Sequence, residues 1–311
     1  MRVLVLGGTK FLGRAFVDAA LARGHELTLF NRGETNPELY PEVEKLRGDR
    51  TADLSSLEGR SWDAAVDVAG YVPGVVRRSA ELLRDSGRYV FVSSISVYAN
   101  FDEPWNESGP VAELGDAPAD ELASDYSNYG ALKALCEAEV EAVFGKRALI
   151  VRPGLIVGPH DPTGRFTYWP HRLARGGEIL APSPPERLTQ FVDVRDLAEW
   201  MVDAVERDLN GVFNATSPGL PWGELLAGAN VTWVPDEFLQ EHEVGEWMEL
   251  PLWIAGTGLR VDVGRIVAEG LRTRPLPETL AGAAGAPDVD GVGLTPERES
   301  ELLSAWHGRS A

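Results

Sequence analysis

The alternation of short apolar runs with helix-like segments limits the folds open to this chain more than any other feature. Residues 2–8 form a continuous apolar run that ends in glycines, "RVLVLGG", as buried parallel strands do. Residues 12–23 follow as good helix formers, and Gly24 ends them. Later strand-like runs are "HELTLFNRG", "DAAVDVAG", "GRYVFVSS" and "RALIVRPG". Because parallel neighbours need crossover helices, this order predicts an α/β fold with a doubly wound parallel sheet.

The pattern changes after about residue 155, where proline, glycine and aromatic residues become frequent. The segment "FVDVRDLAEWMVDAVE" predicts a strand that runs into a helix, and Thr295 followed by Pro296 predicts the start of a final helix. We therefore expect a doubly wound domain over residues 1–155, to which 189–217 return. A smaller lobe is expected mainly over residues 156–311.

Composition excludes several classes of function. The chain has 29 basic and 48 acidic residues, a net charge of −19, which disfavours nucleic-acid binding. No apolar run is long enough to cross a bilayer, and the N-terminal run is too short for a signal peptide. The single cysteine, Cys136, excludes an intrachain disulfide, so we expect a cytoplasmic protein. The five histidines are scattered, and we predict no metal site.

A glycine turn lies between the first strand and the first helix. Free backbone N–H groups at such a helix start favour a pyrophosphate, which predicts a dinucleotide in a Rossmann-type domain. Lys10 stands where the pattern G-x-x-G-x-x-G has its middle glycine, and a tight turn without a ligand is the alternative. The residues expected to hold the cofactor here are Gly7, Thr9, Lys10, Phe11, Leu12 and Gly13.

The end of the second strand bears on the choice of cofactor. NAD-binding domains typically place an acidic residue there for the ribose 2′-hydroxyl, whereas this chain has Asn31 and Arg32. The guanidinium fork of Arg32, with Lys10 nearby, suits a 2′-phosphate and predicts NADP, with NAD as the alternative. Asp49, Ala69 and Gly70 lie where the adenine and the sugar of the cofactor would rest.

Three side chains predict proton transfer coupled to hydride transfer. Ser94 lies at the carboxyl end of a predicted strand, while Tyr129 and Lys133 are four residues apart on one helix face. A nearby ammonium favours the phenolate of a tyrosine, and a serine hydroxyl can polarise a carbonyl. The alternative is a packed aromatic residue beside a solvated charge.

These pieces together resemble the extended short-chain dehydrogenase/reductase superfamily, the NAD-dependent epimerase/dehydratase group. The resemblance covers about residues 1–218. Within the superfamily, the chain looks like a member of a branch of bacterial reductase-like proteins, which is related to chloroplast stem-loop-binding proteins, some of which bind RNA. The resemblance implies that Ser94 polarises the substrate, Tyr129 is the acid/base, and Lys133 lowers the pKa of Tyr129 and holds the nicotinamide ribose. Pro153 and Gly154 would contact the nicotinamide. The matching segments are "GGTKFLG", "DVAGY", "SSISVY", "YGALKALCE", "RPGLIVGP", "FVDVRDLA" and "GVFNATSP".

The residues after the nicotinamide-side strand are expected to form a substrate-binding lobe. They mix aromatic surface with hydrogen-bond donors, as small-molecule pockets do, although a loop packed over the sheet is the alternative. The absence of a Thr-Asp-Glu triplet at residues 94–96 argues against a dehydratase. The candidate substrate residues from this segment are His160, Arg165 and Tyr168. The resemblance adds Ser96, as a helper of Ser94, and Arg187 and Gln190, in a region that often meets a sugar-nucleotide phosphate.

The sequence thus predicts an NADP-preferring oxidoreductase that acts on a carbonyl or alcohol of a small polar substrate, sugar-like substrates included. One alternative is an NAD-dependent sugar-nucleotide epimerase, which would use the same residues. Another is a cofactor-binding protein whose task is RNA binding or regulation. The resemblance also implies a homodimer that pairs through helices of the nucleotide-binding domain.

Overall fold

The computed structural model describes residues 1–115, 126–256 and 258–309. Its strands are β1 (Arg2–Leu6), β2 (Glu26–Asn31), β3 (Glu44–Arg47), β4 (Ala64–Asp67), β5 (Tyr89–Val92), β6 (Ala148–Pro153), β7 (Leu155–Val157), β8 (Glu178–Pro182), β9 (Leu188–Thr189), β10 (Phe191–Asp193), β11 (Gly211–Ala215), β12 (Leu220–Pro221) and β13 (Asn230–Val234). Its α-helices are α1 (Phe11–Ala22), α2 (Pro73–Leu82), α3 (Tyr129–Phe144), α4 (Tyr168–Arg175), α5 (Val194–Glu206), α6 (Trp222–Leu225), α7 (Asp236–Glu241), α8 (Gly264–Ala268), α9 (Leu276–Ala283) and α10 (Pro296–Gly308).

Within this described part, the central sheet has seven strands in the order β11-β6-β5-β4-β1-β2-β3. All neighbouring pairs in it are parallel. The chain leaves β1 toward β2 in one direction and continues from β4 to β6 in the other, so the strand order reverses between β1 and β4. This confirms the predicted doubly wound fold and marks the carboxyl edge at the reversal as the place where ligands bind in such sheets.

Apolar helix faces cover both sides of the sheet. On one side, α1 and α5 pack together through residues such as Phe16 and Met201. On the other side, α2 and α3 bury Val76 and Val140. Cys136 lies in this second core, and burial raises the pKa of its thiol. The parallel strands are buried between these two layers, which explains their continuous apolar sequences.

The remaining strands form short pairs beside the sheet. β7 pairs with β10 and β8 with β13 in parallel, and β9 pairs with β12 in antiparallel orientation. A separate core in this region contains Trp169, Trp222, Trp253 and Phe238. The predicted strand-to-helix segment is β10 followed by α5, while β11 lies at the edge of the central sheet. The side chain of Thr295 caps α10, as predicted.

One strand of the central sheet, the edge strand β3, has no counterpart among the predicted strands. Its sequence "EKLR" has a single apolar residue, and its side chains are exposed or half-buried. It pairs only with β2 at the sheet edge, so β3 depends on its neighbour rather than on burial of its own side chains.

Candidate active site

The turn after β1 is tightly packed. Gly7 has a φ of +116°, and a Cβ atom there would lie 2.7 Å from Val68 Cγ2. A Cβ atom at Gly13 would lie 2.9 Å from the backbone N of Gly8, so α1 begins directly against the turn. Lys10 precedes α1 and makes no side-chain cap hydrogen bond. The turn thus forms a narrow cradle, with Lys10 exposed beside it and Thr9 and Leu12 buried beneath.

Asn31 at the end of β2 braces this turn. Its Nδ2 donates to Gly7 O at 3.0 Å, and its Oδ1 accepts from Gly33 N at 3.0 Å and from the Arg47 guanidinium. The predicted Arg32 has a side chain that is 62% exposed and an ion pair with Glu34 at 3.0 Å. Arg47, from β3, is a further cation at this strand end that sequence reasoning missed because β3 itself was not predicted.

Asp49 lies beyond β3 and forms a local turn of its own. Its Oδ1 accepts from Thr51 Oγ1 at 2.7 Å and from Thr51 N at 2.9 Å. The hydroxyl of Thr51 lowers the pKa of this carboxyl. Asp49 is therefore a charged acceptor near the end of the strand that carries Arg47.

Lys133 is buried and held by backbone carbonyls. Its side chain is 3% exposed, and its Nζ donates to Gly70 O at 2.6 Å and to Val92 O at 2.8 Å. Burial lowers the pKa of Lys133 to about 8, and the negative charge of Asp67 acts against this decrease. A solvated charge, the alternative from the sequence, is excluded for this lysine.

Aromatic rings surround the ammonium group of Lys133. Its Nζ lies 4.6 Å from the ring centre of Tyr71, 4.9 Å from that of Phe91 and 5.9 Å from that of Tyr129. Cation–π attraction from these rings partly replaces the lost hydration of the ammonium. The structure thus brings the predicted lysine and tyrosine to one location.

Ser94 follows β5 and lies beside the start of α3. Its Oγ accepts from Ser96 N at 3.1 Å and donates to Ser96 Oγ at 3.1 Å. A Cβ atom at Gly130 would lie 1.9 Å from Ser96 O, so α3 begins in direct contact with this turn. The absence of a side chain at Gly130 therefore lets the first turn of α3 pack against the backbone of Ser96.

The other predicted cofactor residues lie along the same edge of the sheet. Ala69 and Gly70 follow β4, and Ala69 N donates to Asp67 Oδ1 at 3.0 Å. Pro153 ends β6, and a Cβ atom at the adjacent Gly154 would lie 2.9 Å from Thr216 Oγ1. Since all central strands are parallel, these turns and Ser94 share the carboxyl edge.

Of the predicted substrate residues, Arg187 and Gln190 line one small pocket, together with Ile95, Trp222 and Trp247. Both polar side chains already have partners within the chain. Arg187 Nη1 pairs with Asp236 Oδ1 at 2.5 Å, and its Nη2 donates to Gly256 O at 3.0 Å. Gln190 donates to Val261 O at 3.0 Å and accepts from Val261 N at 2.8 Å.

Of the other four candidates, Ser96 lies beside Ser94, and the remaining three lie elsewhere. His160 lines a cleft of about 430 Å³ between α1 and α5, beside Phe11 and Arg14. The guanidinium of Arg165 lies 4.7 Å from the ring centre of Trp247, next to the Arg187 pocket. Tyr168 is buried in the separate core beside the sheet, against Trp169. These three side chains therefore do not converge on one surface.

A doubly wound sheet with a glycine cradle and a buried lysine beside a tyrosine defines the class of nicotinamide-dependent α/β enzymes. The chain belongs to the NAD dependent epimerase/dehydratase family, whose profile matches residues 3–215. It is an NAD(P)-dependent enzyme of the extended short-chain dehydrogenase/reductase type. Within the described residues, no helix is both long and apolar enough to cross a membrane.

Several curated proteins resemble the chain. The chloroplast stem-loop binding protein of 41 kDa b from Arabidopsis thaliana is 25% identical over 68% of this chain, and the match spans only 58% of that protein. The dTDP-6-deoxy-L-talose 4-dehydrogenase (NAD(P)(+)) from Kitasatospora kifunensis is 28% identical, with 87% of this chain and 93% of that protein covered.

Among solved structures, the UDP-glucuronic acid 4-epimerase from Bacillus cereus, in complex with NAD, has a TM-score of 0.64 at 15% identity. That similarity covers 91% of this chain and 97% of the epimerase. At this level of identity the similarity shows the shared fold.

Proposed function

We propose that the protein is an NADP-preferring oxidoreductase that acts on a carbonyl or alcohol of a small polar substrate, sugar-like substrates included. The observation that carries the proposal is the buried ammonium of Lys133, fixed by two carbonyls beside the ring of Tyr129. Burying a charged lysine costs folding free energy, and buried charged groups of this kind are concentrated at functional sites.

Each of the three proposed catalytic residues has a distinct task. The positive charge of Lys133 favours the phenolate of Tyr129, which brings the pKa of that tyrosine toward the working pH. Tyr129 then transfers a proton to or from the substrate oxygen. The hydroxyl of Ser94 donates a hydrogen bond to the same oxygen and stabilises its charge. A bound nicotinamide supplies or accepts the hydride.

Tyr129→Phe tests these roles. The variant keeps the ring but loses the transferable proton, so we expect turnover to fall at least about 100-fold. Binding of NADP, measured by quenching of tryptophan fluorescence, should be nearly unchanged. Turnover is followed as NADPH oxidation with a panel of aldehydes, ketones and sugar-nucleotide ketones. Tyr40→Phe is the matched control, because it removes a hydroxyl that contacts Asp18 and Arg14 on α1. Full activity of Tyr129→Phe would refute the mechanism.

The preference for NADP is supported by the cations at the end of β2. Arg32 is exposed there, and Lys10 is exposed at the start of α1. Arg47 lies below Gly33, where a Cβ atom would be 2.9 Å from the guanidinium carbon. A 2′-phosphate would gain charge-assisted hydrogen bonds from such groups, whereas a 2′-hydroxyl would not. We expect NADP to raise the melting temperature more than NAD does, and Arg32→Ala to reduce this difference. A clear preference for NAD that Arg32→Ala leaves unchanged would refute the assignment.

The second candidate is an NAD-dependent sugar-nucleotide epimerase, favoured by the fold shared with the Bacillus cereus enzyme solved with NAD. An epimerase returns the hydride to the same molecule and keeps its cofactor. The absorbance spectrum of the purified protein and of its denatured extract separates the two functions. A retained nicotinamide supports epimerisation, and a protein purified without one supports a reductase with an exchanging cofactor.

A third candidate, RNA binding or regulation, is favoured only by the name of the Arabidopsis relative. The net charge of −19 argues against it, because the surface repels phosphate backbones. Tight, salt-sensitive retention of labelled RNA in a filter-binding assay would support this candidate over the enzyme.

We also propose a domain division, an oligomeric state and a location for the protein. We infer that residues 1–155 and 189–217 bind the cofactor and that the rest of 156–311 mainly binds substrate. Homodimer formation through the helices of the first domain is supported by Leu135, an exposed apolar residue on α3. A cytoplasmic location is supported by the single, buried Cys136.

A further inference from the structure

A buried charged network lies beneath the turn that holds Lys133. Asp67, the last residue of β4, is fully buried and makes a bidentate pair with Arg50, at 2.7 Å to Nη1 and 2.8 Å to Nη2. Tyr89 Oη donates to the same carboxylate at 2.8 Å, and Arg50 also donates to Ser79 Oγ at 3.0 Å. The proposed catalytic roles leave this network unused.

The carboxylate of Asp67 also holds the turn after β4. Its Oδ1 accepts from Ala69 N at 3.0 Å, and a Cβ atom at Gly70 would lie 3.0 Å from its Oδ2. The carbonyl of Gly70 is in turn the acceptor at 2.6 Å from Lys133 Nζ. A single hydrogen bond therefore connects the carboxylate of Asp67 to the turn of Ala69 and Gly70, which orients the lysine.

The surroundings of Lys133 explain why an anion matters there. The two acceptors of Nζ given above are neutral carbonyls, and the side chain of Lys133 is buried. The charged groups that act on the ammonium include Asp67 and Arg50 from beneath the turn, and Cys136 and Glu137 act from α3. The rings of two further titratable residues, Tyr71 and Tyr129, also face it. Among the charged groups Asp67 has the largest favourable effect on the charged form, while Arg50 opposes it.

We propose that Asp67 is a positioning residue for Lys133, an inference that rests on the proposed catalytic role of that lysine. Asp67 fixes the turn so that the Gly70 carbonyl faces the ammonium, and its negative charge keeps that ammonium protonated within the core. Arg50 and Tyr89 hold the carboxylate ionised in a place where it would otherwise take up a proton.

Asp67→Asn tests the inference, because it keeps an acceptor for Ala69 N and removes the charge. The chain has only four lysines, so ¹³C,¹⁵N-lysine labelling gives a spectrum in which Lys133 can be assigned by comparison with Lys133→Met. We expect Lys133 in the variant to lose its proton at a pH lower by about one unit. The alkaline limb of the pH–kcat profile should move in the same direction. A merely structural role would lower stability without moving either titration.

Two further variants keep the test decisive. Glu299→Gln removes another buried carboxylate, which pairs with Arg172 in the C-terminal region, and should leave the titration of Lys133 unchanged. Arg50→Gln with Asp67→Asn leaves no orphaned buried charge and serves if the single variant does not fold. Since Asp67 affects Lys133 more strongly than Arg50 does, we expect the pH at which Lys133 loses its proton to fall in the double variant too, but by less than in Asp67→Asn.

The outcomes separate this inference from the proposed function. An unchanged titration of Lys133 in Asp67→Asn, or in the double variant when the single one does not fold, overturns the role of Asp67. If Lys133→Met still abolishes turnover, the proposed function stands in that case. A shifted titration together with full turnover of Lys133→Met supports the coupling and refutes the catalytic role of the lysine instead.

Discussion

Replacing Lys133 by methionine should change how the stability of the protein depends on pH. The substitution removes a buried ammonium and puts an unbranched side chain of similar length in its place. Burial lowers the pKa of Lys133 from its ordinary value of 10.5 to about 8. Below about pH 8 the lysine is protonated in both the folded and the unfolded protein. Between about pH 8 and 10.5 it is protonated only in the unfolded chain.

The size and the sign of the effect follow from this difference. Because the unfolded chain binds more protons in this interval, the free energy of unfolding of the wild type rises with pH there. Each pH unit contributes about 1.4 kcal/mol, so the full rise relative to Lys133→Met is about 3 kcal/mol. With a pKa of about 8, about 2 kcal/mol of this rise is present at pH 9.5. The hydrogen bonds lost at Gly70 and Val92 add an offset that does not vary with pH.

Urea denaturation of both proteins at intervals from pH 7 to 9.5 measures the effect without any substrate. Titrations common to both proteins cancel in the difference between their free energies of unfolding. Lys146→Met, at an exposed lysine just after α3, is the matched control, and its curve should run parallel to that of the wild type. A difference between the wild type and Lys133→Met that stays flat from pH 7 to 9.5, or falls, would refute the argument that a charged lysine is buried here.

Two more substitutions test the close approach at α3 and the cations near β2. Gly130→Ala puts a methyl group 1.9 Å from Ser96 O, so we expect a loss of about 1–3 kcal/mol of stability and slower turnover. Gly285→Ala, where a Cβ atom meets nothing within 4 Å, is its control, and equal stability of the two variants contradicts the packing argument. Arg47→Ala should weaken NADP about 10- to 100-fold in calorimetry and leave NAD nearly unchanged. Arg207→Ala, at an exposed pair with Glu269, is the control, and equal losses for both cofactors contradict a 2′-phosphate site.

The sequence was sufficient for the elements whose signals are local. The apolar run at residues 2–6, the glycine turn and the Thr295 cap depend on neighbours a few positions away, and the structure has each of them. The edge strand β3 was missed because its residues are polar and its partner, β2, supplies its hydrogen bonds. With β3, sequence reasoning also missed Arg47.

The substrate region shows where local patterns are insufficient. The resemblance placed Arg187 and Gln190 in a region that often meets a substrate phosphate. In the structure their polar groups bind Asp236 and Val261, 49 and 71 residues along the chain. His160 and Tyr168 are close to Arg165 in the sequence. In the structure, His160 lies in the cleft beside α1, whereas Tyr168 lies in the core that contains Trp169. No spacing rule indicates which partner a long side chain meets after folding.

The sequence by itself determined the parallel sheet, the cofactor cradle and the four-residue step between Tyr129 and Lys133. These features are a set of continuous apolar runs, a glycine turn and a helical spacing, and the chain need not be folded for them to be recognised. Only the tertiary structure decided that Lys133 is buried, because its acceptors at Gly70 and Val92 are 63 and 41 residues distant in the sequence. Burial and charge arise from such distant contacts, and they turn a tyrosine and a lysine on one helix into a candidate for catalysis.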